Sequence, residues 1–200
     1  DMCGSMFVEP GYFPIDVLEF TPGRKTLQTY AFVGGMAYEL GSSWVLGARI
    51  DFESSNLAKR KDLRYTDWRL DLSVAPSLTY STGDWILGFS PVFRKVSETI
   101  GAQQIGTSES SYYAFLDKGL MYGVRQVWTG SGVHLEEAGV NGLPLKEYSY
   151  GAGFQFNRRD LYADIEFIRT DGEAGEKEYI WFEFPGMEMA AWATQPLIAP

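Results

Sequence analysis

His134 is the only histidine in the sequence, and Glu136 and Glu137 follow it closely. A histidine beside carboxylates is the minimum for general acid–base work or for a Ser-His-acid relay. Here it stands among Gly130, Gly132, Gly139 and Gly142 without a supporting motif, so it reads as a solvated loop histidine and the chain as a non-enzyme. One histidine with scattered carboxylates lacks the ligand set zinc prefers. Cys3 is the single cysteine, which rules out an internal disulfide and a thiolate metal cluster. The run Asp171-Gly172-Glu173-Ala174-Gly175-Glu176 offers oxygen ligands of the kind calcium takes, but its spacing is not that of an EF-hand, and it reads as a solvated loop. Lys59-Arg60-Lys61, the nearest approach to a basic cluster, reads the same way. With a net charge of -9, the chain offers no phosphate-binding surface, so nucleic acid is excluded as a partner. No cofactor and no metal are expected.

The charges that do fall in a pattern alternate with apolar residues. Trp44, Leu46, Ala48, Ile50 and Phe52 interleave with Ser43, Val45, Gly47, Arg49, Asp51 and Glu53. On a strand, successive side chains point to opposite faces, so this segment has one greasy and one charged face. Trp68, Leu70, Leu72, Val74, Leu78 and Tyr80 alternate likewise with Asp67, Arg69, Asp71, Ser73, Ser77 and Thr79. Trp85, Leu87, Phe89, Pro91 and Phe93 oppose Gly88, Ser90 and Arg94; Tyr148 to Phe156 and Leu161 to Phe167 continue the scheme. Aligning the strands around residues 54–64 by their greasy faces sets Arg49 against Asp71, Asp51 against Arg69 and Phe52 against Trp68. Such cross-strand charge pairs are worth about 0.2–1 kcal/mol each. Arg49, Asp51, Arg69, Asp71 and Arg94 are therefore expected on one inner face, either as a lining for a polar solute or as a wall zipped by salt bridges.

Alternation also marks soluble sheets. Three details favour a membrane. Trp44, Phe52, Trp68, Tyr80, Trp85 and Phe93 end the greasy faces, where interfacial girdles belong. The strands are roughly 9–13 residues long, near what a tilted strand needs to cross a bilayer. Short turns at 41–43, 81–84 and 157–160 alternate with longer connections near 54–64, 97–110, 129–145 and 170–177, as in outer-membrane barrels. No apolar run is long enough for a transmembrane helix. The start shows no charged and apolar leader, so a targeting peptide is read as absent or already removed. Charged residues at 22% and hydrophobic ones at 45% fit neither a disordered chain nor a helical membrane protein.

The expected architecture is all-β: an antiparallel up-and-down transmembrane barrel with about nine visible strands, which also reads as part of a larger barrel. Residues 1–25 are expected to be loop-like, 26–185 to form the barrel hairpins, and 186–200 to form a tail without a clear strand. Splitting 112–128 into two strands makes the count close, and Pro76 and Pro91 inside strands point to a local bulge. The function expected is a pore, an uptake channel or a scaffold for surface loops, with lipid as the main partner. The alternatives are a soluble extracytoplasmic β-sandwich that binds carbohydrate or protein, and a barrel-embedded hydrolase.

The stretch Gly132-Val133-His134-Leu135-Glu136-Glu137-Ala138-Gly139-Val140-Asn141-Gly142, with Asp171-Gly172-Glu173-Ala174-Gly175-Glu176-Lys177 and Trp181-Phe182-Glu183-Phe184-Pro185, resembles the uncharacterised outer-membrane β-barrel proteins of Bacteroidota. The resemblance implies a barrel in the Gram-negative outer membrane. It implies no substrate and no site residues, because these motifs are loop glycines and strand aromatics.

Overall fold

The computed structural model describes residues 2–61, 64–103, 112–117, 123–128, 134–135, 140–141, 143–159, 161–176 and 179–194. All regular elements among them are strands. The main sheet has seven, in the order β13-β12-β11-β6-β5-β4-β3, all antiparallel. They are β3 (Lys25–Leu40), β4 (Trp44–Lys59), β5 (Arg64–Thr82), β6 (Trp85–Gln103), β11 (Leu143–Arg158), β12 (Leu161–Glu176) and β13 (Tyr179–Thr194). A second sheet joins β1 (Met2–Ser5), β2 (Asp16–Gly23), β7 (Tyr112–Asp117) and β8 (Gly123–Trp128), and β9 (His134–Leu135) pairs with β10 (Val140–Asn141). Tight turns close one side of the main sheet. Gly41 and Gly83 take φ of 78° and 54° there, and Arg159 bears φ of 50° without glycine's freedom. Its guanidinium pairs with Asp84 in the neighbouring turn at 2.7 Å.

Alternation and register together make one face of the sheet apolar from edge to edge. Tyr38, Leu46, Leu78, Phe89, Phe154, Ile165 and Ala191 form a continuous row across all seven strands. Nothing among the described residues covers it: Trp44 is 43% exposed, Ile50 37% and Phe89 42%. The core lies on the other face, near the end of the strands remote from the tight turns. There Met6, Phe7, Phe13, Ile15 and Val17 pack with Tyr65, Val96, Ile100, Leu145 and Ala174. Gly172 matters to this packing. It pairs with Phe184, whose ring occupies the space a Cβ would take and then meets Phe13 edge-on at 5.8 Å.

The all-β antiparallel expectation holds, and the finer expectations change in several places. The sheet is open, with β3 and β13 as its edges. Its wall has seven strands: the pair at 112–128 does form as β7 and β8, but it joins β2 in the second sheet while β6 pairs directly with β11. The strands run 16 to 19 residues, because the charged, non-alternating ends taken for loops at 54–64, 97–110 and 170–177 continue the ladders as far as Lys59, Gln103 and Glu176. Residues 1–25 hold β1 and β2 and much of the core, and the presumed tail carries β13 to Thr194.

The register between β4 and β5 also differs. Glu53 faces Asp71, Ser55 faces Arg69, Phe52 faces Leu72 and Arg49 faces Ala75. The greasy faces coincide equally well after a slip of an even number of residues, so parity alone left the register open. In the next hairpin Thr82 faces Trp85. That register sets Pro76 opposite Pro91; the ladder lapses around them and resumes in the same register, so there is no bulge. Both missing N–H groups fall in one gap, while the ladders to β4 and β11 stay continuous.

If residues 6–17 are core and not a loose terminus, Phe13→Ala should lower unfolding stability by about 3–5 kcal/mol. Chemical denaturation checks this; a loss below about 1 kcal/mol would return the segment to a loop.

Candidate functional site

The polar face of the sheet carries all five charged residues expected there, in two groups. Arg49 and Asp51, two apart on β4, pair with each other through Nε and Oδ2 at 2.8 Å and stand exposed. Arg69, Asp71 and Arg94 converge further from the tight turns, where β5 and β6 bring them together. Arg94 reaches diagonally from β6 to grip Asp71 with two nitrogens, its Nε at 2.9 Å. Arg69 meets its register partner Glu98 at 3.3 Å and also Glu9 at 2.9 Å.

The cluster owes its form to residues 6–15, which cross this face. The Val8 N–H donates to Asp67 Oδ2 and to Glu98 Oε1, each at 2.8 Å. The Tyr12 ring lies over the Arg69 guanidinium at 4.2 Å, and its hydroxyl donates to Glu147 on β11 at 2.7 Å. A second buried group sits alongside: Lys59 Nζ donates to Glu19 at 2.5 Å, and Lys25 stands 3.4 Å from the same carboxylate. Lys59 is only 1% exposed, so it is not the solvated loop lysine expected from its neighbours. A buried ammonium without Glu19 would be strongly destabilising, and this pairing is what lets β4 end inside the protein. Asp171, also expected in a solvated loop, lies on β12 and accepts from the Tyr150 hydroxyl at 2.6 Å.

Asp67 and Glu98 are both fully buried. Burial, then the hydrogen bond with Glu98 and the charge on Glu98, push the Asp67 carboxyl well above the usual carboxylate range. Two carboxyls sharing one buried site thus favour holding a proton, and the direction of the shift places it on Asp67. The Tyr12 hydroxyl is raised too, by its half-buried position and by Glu147. The arrangement resembles a carboxyl pair for acid–base chemistry, yet both carboxylates are engaged by the Val8 amide and Glu98 also by Arg69. It is built to hold a chain segment in place. Among the described residues, no group of three or more His, Cys, Asp or Glu could hold a metal ion.

Sequence reading missed Glu9, Tyr12, Glu19, Lys59, Glu98 and Glu147. Asp67 could have been found, since it shares the face of Arg69 and Asp71 at two-residue spacing. Glu98 lies four residues beyond Arg94 on the same face, and assigning it to a loop hid that parity. The aromatics divide by depth. Trp44, Tyr80 and Trp85 sit at the turn-side margin of the apolar face, with Trp44 and Tyr80 rings 4.5 Å apart. Phe52 and Phe93 stand toward the opposite margin. Trp68 lies beyond it, between Asn56 and Thr99. The side chains of His134 and Cys3 are outside the described residues.

A raised carboxyl means that the folded state binds a proton the unfolded chain releases. The stability that Asp67 contributes is thus fully present below about pH 4 and declines as pH rises through neutrality into the alkaline range. Asp67→Asn, which is neutral at every pH, should flatten that decline in denaturation curves taken across pH; an unchanged slope would show that Asp67 is ionised.

No curated protein and no solved structure matches the chain. A family model matches residues 20–182, from β2 through all of β12, and so takes in six strands of the main sheet and most of its polar cluster. By that match the chain belongs to DUF6850, a family of unknown function.

Proposed function

We propose that the chain forms part of the wall of a transmembrane β-barrel in a Gram-negative outer membrane, like the barrel proteins of Bacteroidota it resembles in sequence. It acts there without catalysis, as a pore, an uptake channel or a scaffold for surface loops. One observation carries the reading: an apolar face seven strands wide that no other layer among the described residues covers. A water-soluble protein rarely exposes an apolar patch of more than a few hundred Å². The sandwich alternative requires a second layer on this face, and the described residues provide none.

The dimensions support it. On β5 the apolar face runs from Leu70 to Tyr80, about 34 Å of strand, which at a tilt near 40° spans roughly 26 Å. Outer-membrane barrels carry an apolar band about 25 Å tall. The band's margin also slants across the strands: Leu70 is apolar, its partner on β6 is Ser97, and β6 does not turn apolar until Phe93. A level band crossing tilted strands gives this offset. The strands continue past the band, so their far ends, with Asp67, Arg69 and Glu98 of the polar cluster, stand above the membrane.

Ala48→Arg or Val74→Arg, near the middle of the band, should cost about 2–4 kcal/mol in lipid, and Trp68→Arg about 0–1. Urea unfolding in vesicles measures the difference. Equal costs at the two depths, or recovery of the native chain in the aqueous phase of a detergent partition, would refute the reading.

A further inference from the structure

Residues 6–15 cross the polar face from β5 to β13. Their ends and middle are held by different forces. Met6 and Phe7 at one end and Phe13 and Ile15 at the other are buried in the core. Between them, Glu9, Pro10 and Gly11 are exposed, and Gly11 takes a φ of 81° that favours glycine. The middle is tied down by polar contacts: the Val8 amide to Asp67 and Glu98, Glu9 to Arg69, and Tyr12 to Glu147.

The space on the turn side of this segment is open. A hollow of about 440 Å³ is lined by Tyr12, Arg94, Glu147, Ser149, Thr170 and Phe184. Another of about 630 Å³ is lined largely by small residues, among them Gly35, Ala37, Gly47, Ala75, Ser77 and Ser90. The polar face is therefore roomy at the depth of the apolar band and occupied at its far end.

We propose that residues 6–15 are a strap closing the far mouth of the lumen, with fixed apolar ends and a middle, residues 8–12, that lifts when its polar ties are released. This rests on the barrel reading. Arg69 is the main latch. It touches the strap twice, through Glu9 and the Tyr12 ring, and is itself braced by Glu98. A solute in the adjoining hollow touches Tyr12 directly, so its arrival bears on the Glu147 tie.

The test is potassium chloride conductance, in planar bilayers, of the chain assembled with the strands that close its wall, with insertion verified first by detergent partition. Glu9→Gln with Tyr12→Phe removes two ties and leaves the core anchors untouched. The native chain should conduct weakly and the double variant at least about tenfold more, the factor that loss of even one of the two charge-assisted ties brings. Limited proteolysis within residues 8–12 should accelerate in step. A double variant that inserts and conducts like the native chain overturns the strap and leaves the barrel reading standing. A chain that does not insert removes both.

Discussion

A strand has a side-chain period of two, and a sheet has two faces. When seven strands in register place their apolar residues on the same side, a single face collects all of them. That face must be taken out of water, by a second protein layer or by lipid. Among the described residues the polar face has a layer on it and the apolar face has none, the reverse of the usual half-solvated sheet. The layer that exists is itself fastened by both apolar side chains and charges.

Those charges follow from the burial. Once residues 6–17 cover the polar face, whatever ionisable groups lie beneath lose water, and each must find a partner or lose its charge. Lys59 finds Glu19, Arg69 finds Glu98 and Glu9, and Asp67 keeps its proton. Arg49 and Asp51, beyond the reach of the segment, stay exposed and pair with each other. The same residue types on the same face thus have different chemistry according to what lies over them.

This explains what was legible in the sequence. Strand identity, facing and the turn positions near Gly41, Gly83 and Arg159 follow from local period and backbone preference, and the structure places them accordingly. Register between β4 and β5 does not follow, since even-numbered slips preserve every facing; Arg49 meets Ala75, not Asp71. Strand ends were misjudged because alternation fades where both faces turn polar, as at Ser54, Ser55 and Asn56, although the backbone ladder continues. The core role of residues 6–15 was hidden, because Pro10, Gly11 and Pro14 signal a loop and a loop can still be buried by its flanking Phe7, Phe13 and Ile15.

On the barrel reading proposed above, the open edges set a requirement. In hydrocarbon each unpaired backbone N–H and C=O costs several kcal/mol, so neither β3 nor β13 can face lipid along its edge. Seven antiparallel strands leave the first and last running in the same direction, so these two can pair with each other only in parallel. A second copy inserted in the same orientation fares no better, since its β13 would meet β3 of the first with both again running the same way. Antiparallel closure of this wall therefore requires an odd number of further strands, the flanking ones running opposite to β3 and β13 and each turning an apolar face outward.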